Sequence, residues 1–133
     1  MALTLDDRQA ITDLLNLHGH YTDRGAFERM ADLFAVDAVM DMNDFGLGVR
    51  TGLDEMIEAI RAVGDGHPVG HHITNIVLSE GDGGTVHAIS KGIGILADGK
   101  CGSVVYEDVL GRGADGWRIT RRTIKARRTP LTP

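Results

Sequence analysis

Three short segments rich in glycine and aspartate punctuate the second half of the chain: Gly81-Asp82-Gly83-Gly84, Asp98-Gly99-Lys100 and Gly113-Ala114-Asp115-Gly116. Around them lie four strand-length runs, His71 to Ser79, Thr85 to Ala97, Ser103 to Leu110 and Trp117 to Arg127. Glycine and aspartate tolerate the left-handed backbone that tight reversals need. Three reversals in a row therefore specify an antiparallel meander. A meander must cover one of its faces, and the first half of the chain supplies helices for this. Ile11, Leu14, Leu15, His18 and Thr22 recur at helical spacing from Leu5 to Thr22. Thr4 is placed to cap that helix, with Asp7 three residues on. Asp23-Arg24-Gly25 ends it. Phe27, Met30, Ala31 and Phe34 share a face of a second, shorter helix, and Leu53 to Val63 forms a third. Between these, Ala38, Met40 and Met42 alternate with Val39 and Asp41 as in a strand, and Phe45 to Arg50 reads as a short glycine-interrupted partner.

Helices first and strands last is the α+β pattern. The 133 residues fit one domain, 1–133. The predicted architecture is a strongly curved, mostly antiparallel sheet of four to six strands with three helices on its concave face. Such an arrangement leaves a pocket between sheet and helices. Gly92 and Gly94, inside a strand, mark where the sheet bends.

Charge removes several function classes. The chain is 42% hydrophobic and 25% charged, close to the globular average, so it is neither disordered nor fibrous. No apolar run approaches the roughly 18 residues of a membrane helix. The first twenty residues hold three acids and no basic leader, and the single cysteine, Cys101, has no internal partner. A cytoplasmic protein without a membrane partner is the expectation. The net charge is −5, yet six of the fourteen Lys and Arg residues lie in the acid-free stretch Trp117 to Arg128. A basic arm is a nucleic-acid signal, but only Trp117 interleaves it, and strand side chains alternate between faces. If Trp117, Ile119, Arg121, Thr123 and Lys125 share one face, then Arg118, Arg122, Ile124 and Arg127 cannot all form one continuous patch with them, and a bulge would change the register. No nucleic-acid partner is expected. One or two inward cations would steer an anionic or enolate-bearing ligand.

The titratable residues leave choices open. His67, His71 and His72 lie close in sequence, but Pro68 and Gly70 exclude the helix that would pair two of them on a metal. No metal site is expected. His71 and His72 point to opposite faces of their strand. Ile73 and Val77 side with His71, Ile76 and Leu78 with His72, so periodicity does not choose. His18, on the buried stripe of the first helix, is either a satisfied core imidazole or pocket lining. Asp23 is either a helix-ending turn residue or a polar partner for something across the pocket. Met40 and Met42 read as core or apolar pocket wall. Tyr106 and Asp108 share a strand face with Val104 and Leu110, so either is placed to line the pocket, unless Asp108 pairs with an arginine of the next strand. The glycine-rich turns lack the following helix and Lys-Ser/Thr of a phosphate loop. No cofactor is expected.

Five strings, in this order, resemble the SnoaL-like branch of the nuclear transport factor 2-like superfamily. They are Tyr21-Thr22-Asp23-Arg24-Gly25, Asp32-Leu33-Phe34 running into Asp37-Ala38, His71-His72-Ile73-Thr74-Asn75, Tyr106-Glu107-Asp108 and Gly116-Trp117-Arg118-Ile119. The resemblance covers Leu5 to about Arg127 and implies a cone-shaped α+β fold. That family includes dehydratases, dehydrohalogenases, isomerases, epoxide hydrolases and polyketide cyclases, together with pockets of no known chemistry. The motif is most similar to the scytalone-dehydratase-type lyases, which use an Asp–His pair with a nearby Tyr. By resemblance these roles fall on Asp23, His71 and Tyr21, and the family register turns His71 and Asn75 inward. A final-strand cation falls near Lys125, and His87 is the candidate for a second pocket histidine. His18, Asn75, Tyr106 and Lys125 are the implied substrate-binding residues.

The resemblance therefore implies a cofactor-independent lyase or isomerase, dehydratase-like, acting by Asp/His proton transfer on a small, largely apolar cyclic metabolite. A polyketide-type cyclase or epoxide hydrolase in the same pocket is one alternative. A non-catalytic small-ligand or dimerisation module is another. Relatives of this kind associate through the outer face of the sheet, which implies a homodimer or homotrimer.

Overall fold

The computed structural model describes residues 2–132. Helix α1, Leu5–Asp23, starts with the reciprocal cap that its sequence specifies. Asp7 N–H donates to Thr4 Oγ1 (3.0 Å), and Thr4 N–H donates to the Asp7 carboxylate (3.1 Å). Asp7 also accepts the Trp117 indole N–H (3.2 Å) and pairs with Arg112, which fixes the helix start to the far end of the sheet. A 3₁₀ turn, Phe27–Asp32, follows where a second helix is predicted. Phe34 opens a strand instead, because Ile119 N–H captures the Leu33 carbonyl (2.8 Å) and the chain joins the sheet there.

The remaining elements are β1 Phe34–Asp41, β2 Val49–Thr51, α2 Leu53–Val63, β3 Gly70–Glu80, β4 Val86–Ile95, β5 Cys101–Gly113 and β6 Gly116–Lys125. Together the strands form one curved six-stranded sheet in the order β2-β1-β6-β5-β4-β3. The α+β class and the β3–β6 meander are as predicted. Among the described strands only β1 against β6 is parallel. The core lies between α1 and the concave face. It joins Ile11, Leu14 and Leu15 of α1 to Phe34, Val86, Leu110, Trp117 and Ile119 of the sheet. No helix among the described residues is long and apolar enough to cross a membrane.

Two bulges set which side chains enter the cone. In β3 the pairing with β4 slips between Thr74 and Val77, and Asn75 takes φ 56°. A bulge adds one residue and flips the alternation. His71 and Ile73 therefore face inward before it, and Ile76 and Leu78 face inward after it, which resolves the ambiguity of His71 against His72. In β6 the pairing with β5 slips beside Val109 and Leu110. Trp117 and Ile119 face in, Arg121 faces out, and Arg122 is again fully buried. The inward set on β6 is thus Trp117, Ile119, Arg122 and Ile124, not the strict alternation through Lys125.

One glycine decides how closely α1 approaches the sheet. A Cβ at Gly19 would lie 2.8 Å from the carbonyl oxygen of His71. Only a residue without a side chain lets the last turn of α1 lie on the first residues of β3.

Candidate active site

Beneath α2, a cavity of about 410 Å³ opens between α1, β1, β2 and the inner faces of β3, β5 and β6. Its wall is largely apolar: Met40 of β1, Met42 just past the end of that strand, Met56, Ile60 and Val63 of α2, and Ile124 of β6. Met40 and Met42 are pocket wall, one of the two readings that the sequence left open. The polar lining consists of His18, Thr22, Arg50, His67, His71 and Tyr106. No carboxylate side chain of the described residues lines it.

At the rim, the Gly19 contact sets Asp23 against the start of β3. Asp23 Oδ1 lies 2.6 Å from His71 Nδ1. The same carboxylate accepts the His71 backbone N–H at 3.0 and 3.1 Å. A carboxylate can only accept, so Nδ1 carries the proton and Nε2 is the nitrogen left for other work. The His71 side chain is only 14% exposed. His67 stands beside it, 6.3 Å between ring centres, stacked on Phe27. Its Nε2–H donates to the Ile60 carbonyl (2.7 Å), which ties the loop after α2 to the end of that helix.

On the cavity floor, His18 is buried with its ring edge-on to Phe34 and Tyr106, at 6.1 and 5.9 Å. Burial holds its pKa well below the ordinary 6.5, and the positive charge of Arg122 and the neighbouring His71 act in the same direction. His18 is a neutral imidazole, and its Nδ1 makes no hydrogen bond with a described residue. Tyr106 is also buried, and burial raises its phenol above the ordinary 10.0. It stays protonated and can donate. Behind it, Arg122 Nε and Nη2 donate to the two Asp108 oxygens, both at 2.8 Å. The guanidinium lies 4.2 Å from the Tyr106 ring centre and 5.4 Å from that of Phe34. Burial alone would lower the Arg122 pKa, but the Asp108 carboxylate outweighs it and the net shift is upward. Asp108 is therefore the strand-pairing residue, the other reading that its position allowed.

Of the residues named from sequence, Asp23 and His71 come together, and His18 and Tyr106 join His71 around the cavity. Four others lie elsewhere. Tyr21 projects from the flank of the α1 stripe into the core, and its oxygen accepts from Arg29 Nη2 (3.2 Å). It does not line the cavity; the tyrosine that does is Tyr106. Asn75 is exposed at the β3 bulge. Lys125 is turned outward by the β6 bulge and pairs with Glu107 (3.2 Å), while its neighbour Ile124 faces the cavity. His87 is exposed on the outer face of β4, as its alternation with buried Val86 and Ala88 requires. Sequence reasoning missed His67 as lining, having weighed it only as a metal ligand, and missed Arg50 altogether. Neither sits on a periodic stripe that would have marked it.

The chain belongs to the SnoaL-like domain family, whose model matches residues 3–123. Its solved structural relatives share the nuclear transport factor 2-like, or cystatin-like, fold. A Novosphingobium aromaticivorans protein named as a candidate aromatic ring hydroxylase is 27% identical, with a TM-score of 0.76 over 98% of this chain and 95% of that one. A Nostoc punctiforme protein of unknown function with a cystatin-like fold is 20% identical, with a TM-score of 0.82 over 97% of each chain. A second Novosphingobium aromaticivorans protein, named as a candidate scytalone dehydratase, is 20% identical, with a TM-score of 0.76 over 92% of this chain and 85% of that one. No curated protein sequence matches the chain.

Proposed function

We propose that this chain is a cofactor-independent lyase or isomerase that moves a proton on a small, largely apolar cyclic metabolite. One observation carries the reading: the Asp23–His71 pair at 2.6 Å, with His71 lining an apolar cavity. Neutral His71 offers the Nε2 lone pair to a C–H next to a carbonyl or a leaving group. As that proton transfers, the electron pair moves into an enolate or forms a C=C bond as the leaving group departs. Asp23 fixes the tautomer beforehand and stabilises the imidazolium afterwards. Tyr106 takes the role first given to Tyr21. Its phenol makes no hydrogen bond to a described residue, and it donates to the developing oxyanion or leaving oxygen. His71 returns the proton at a second carbon in an isomerisation, or to solvent after an elimination. The relative named as a candidate scytalone dehydratase is consistent with this class.

Epoxide hydrolysis has less support, since the inward-facing Arg122 and its partner Asp108 are fully buried and neither lines the cavity. A purely binding module leaves the dyad without a purpose. The outer sheet face, where Val77 is 61% and Ile89 47% exposed, supports association of two or three copies.

A panel of cyclic ketones, alcohols and halides tests the activity. With a substrate in hand, His71→Gln and Asp23→Asn are expected to lower turnover by about 10²–10⁴-fold. Full activity in both variants would refute the assignment.

A further inference from the structure

Among the described residues the cavity is lined by one permanent cation, and it has no partner there. Arg50, in the middle of β2, is half-buried and pairs across the strand with inward-facing Met40. No described residue forms an ion pair or hydrogen bond with its guanidinium. Three acids on the segments flanking β2 are engaged with other groups. Asp41 binds Arg121 (3.1 Å), Asp44 binds Arg128 (3.1 Å), and Glu55 accepts the Thr51 N–H (2.9 Å). Unpaired arginines are ordinary on open surface, but this one lines a largely apolar cavity to which no described residue contributes a carboxylate. There a charge is poorly screened and its pull on an anion is strong. β2 and β3 are the two edges of the sheet, so Arg50 and His71 enter the same cavity from opposite edges.

We propose that Arg50 anchors a carboxylate of the substrate, whose ring lies across the methionine wall and whose reacting carbon lies at His71. The guanidinium fork matches a planar carboxylate with two parallel hydrogen bonds. This substrate class rests on the proton-transfer reading of the cavity. Because the anchor is remote from the reacting carbon, it binds ground state and transition state alike, and its loss raises KM while leaving kcat.

The test uses 2-naphthoate and its neutral counterpart 2-naphthamide as probes, with the protein labelled at its methionine methyl groups. Three of the wall residues, Met40, Met42 and Met56, report occupancy directly. Naphthoate is expected to shift these three signals and to bind about tenfold more tightly than naphthamide. Arg50→Gln should abolish the difference without weakening naphthamide, Arg50→Lys should restore part of it, and added salt should weaken naphthoate alone. Absence of naphthoate shifts, equal binding of both probes, or a preference that survives Arg50→Gln would each overturn the proposal. The carboxylate preference should persist in His71→Gln. If it does while no substrate turns over, the proton-transfer reading fails and the anion site stands. If neutral substrates turn over through His71 and no carboxylate preference exists, the reverse holds.

Discussion

A missing methyl group at Gly19 sets the distance between helix and sheet on which the dyad depends. Alanine there gains about 1 kcal/mol of helix propensity. It also places a Cβ against a backbone oxygen that cannot rotate away, an overpacking cost of about 1–3 kcal/mol. Gly19→Ala is therefore expected to lower stability slightly in urea titration and to lower turnover much further, because relief of the clash moves Asp23 from His71. Equal activity in variant and wild type would contradict this. His18 gives a second residue-scale expectation. Its folded pKa is depressed below 6.5 by burial, so the neutral imidazole favours the fold in full above that pH. The contribution drains away as pH falls from there toward the folded value. Urea midpoints of the wild type should fall more steeply between about pH 7 and pH 5 than those of His18→Gln. Parallel slopes would mean that His18 is not the group responsible. Beside it, Asp108→Asn leaves Arg122 charged and buried without its counter-ion, at an expected cost of about 3–5 kcal/mol. Replacing both partners by apolar residues of similar volume should recover much of that loss.

At the level of elements, the two bulges do what strand alternation alone cannot. In β3, Asn75 holds φ 56°, a conformation that glycine and asparagine accept and β-branched residues resist. Asn75→Gly should be tolerated, and Asn75→Val should cost about 1–2 kcal/mol, read again by urea unfolding. These bulges also mark where the sequence stopped being legible. The cap at Thr4, the bounds of α2 and the three reversals rest on local residue chemistry, and all could be read directly. Whether Arg121 or Arg122 enters the cone depends on a slip against Val109 and Leu110, residues of another strand. Nothing local distinguishes two adjacent arginines. The same slip removed Lys125 from the cavity, and the β3 slip did the same to Asn75. The Phe27–Phe34 stripe misled for a related reason: its apolar spacing is helical, but β6 claims the backbone at Leu33. For the site, residue types and spacing left Asp23 and His71 as open alternatives. Family resemblance paired them and added Tyr21, which helix phase turns toward Arg29 and away from the cavity.

The whole molecule presents two unlike faces. Its concave side holds the core and the cavity, while its convex side carries Val77 and Ile89 among the ion pairs Arg121–Asp41 and Lys125–Glu107. That convex side is where the proposed dimer or trimer would form. Ile89→Lys should reduce the mass measured by light scattering to that of a single chain and leave the fold intact by circular dichroism. A mass unchanged by the substitution would move the contact elsewhere. The basic run that opened as a candidate nucleic-acid arm is divided between these sides, with Arg122 at the centre of the cone and Arg121 and Lys125 outside it. The dyad has a further consequence for how such a molecule comes into being. Asp23 and His71 are 48 positions apart, so during synthesis the carboxylate is made well before the imidazole it will orient. Until the meander has closed onto α1, no imidazole has its proton fixed at Nδ1, and the nascent chain holds no poised base. Catalytic competence would then be acquired at docking, making turnover a direct measure of how much of a preparation has finished folding.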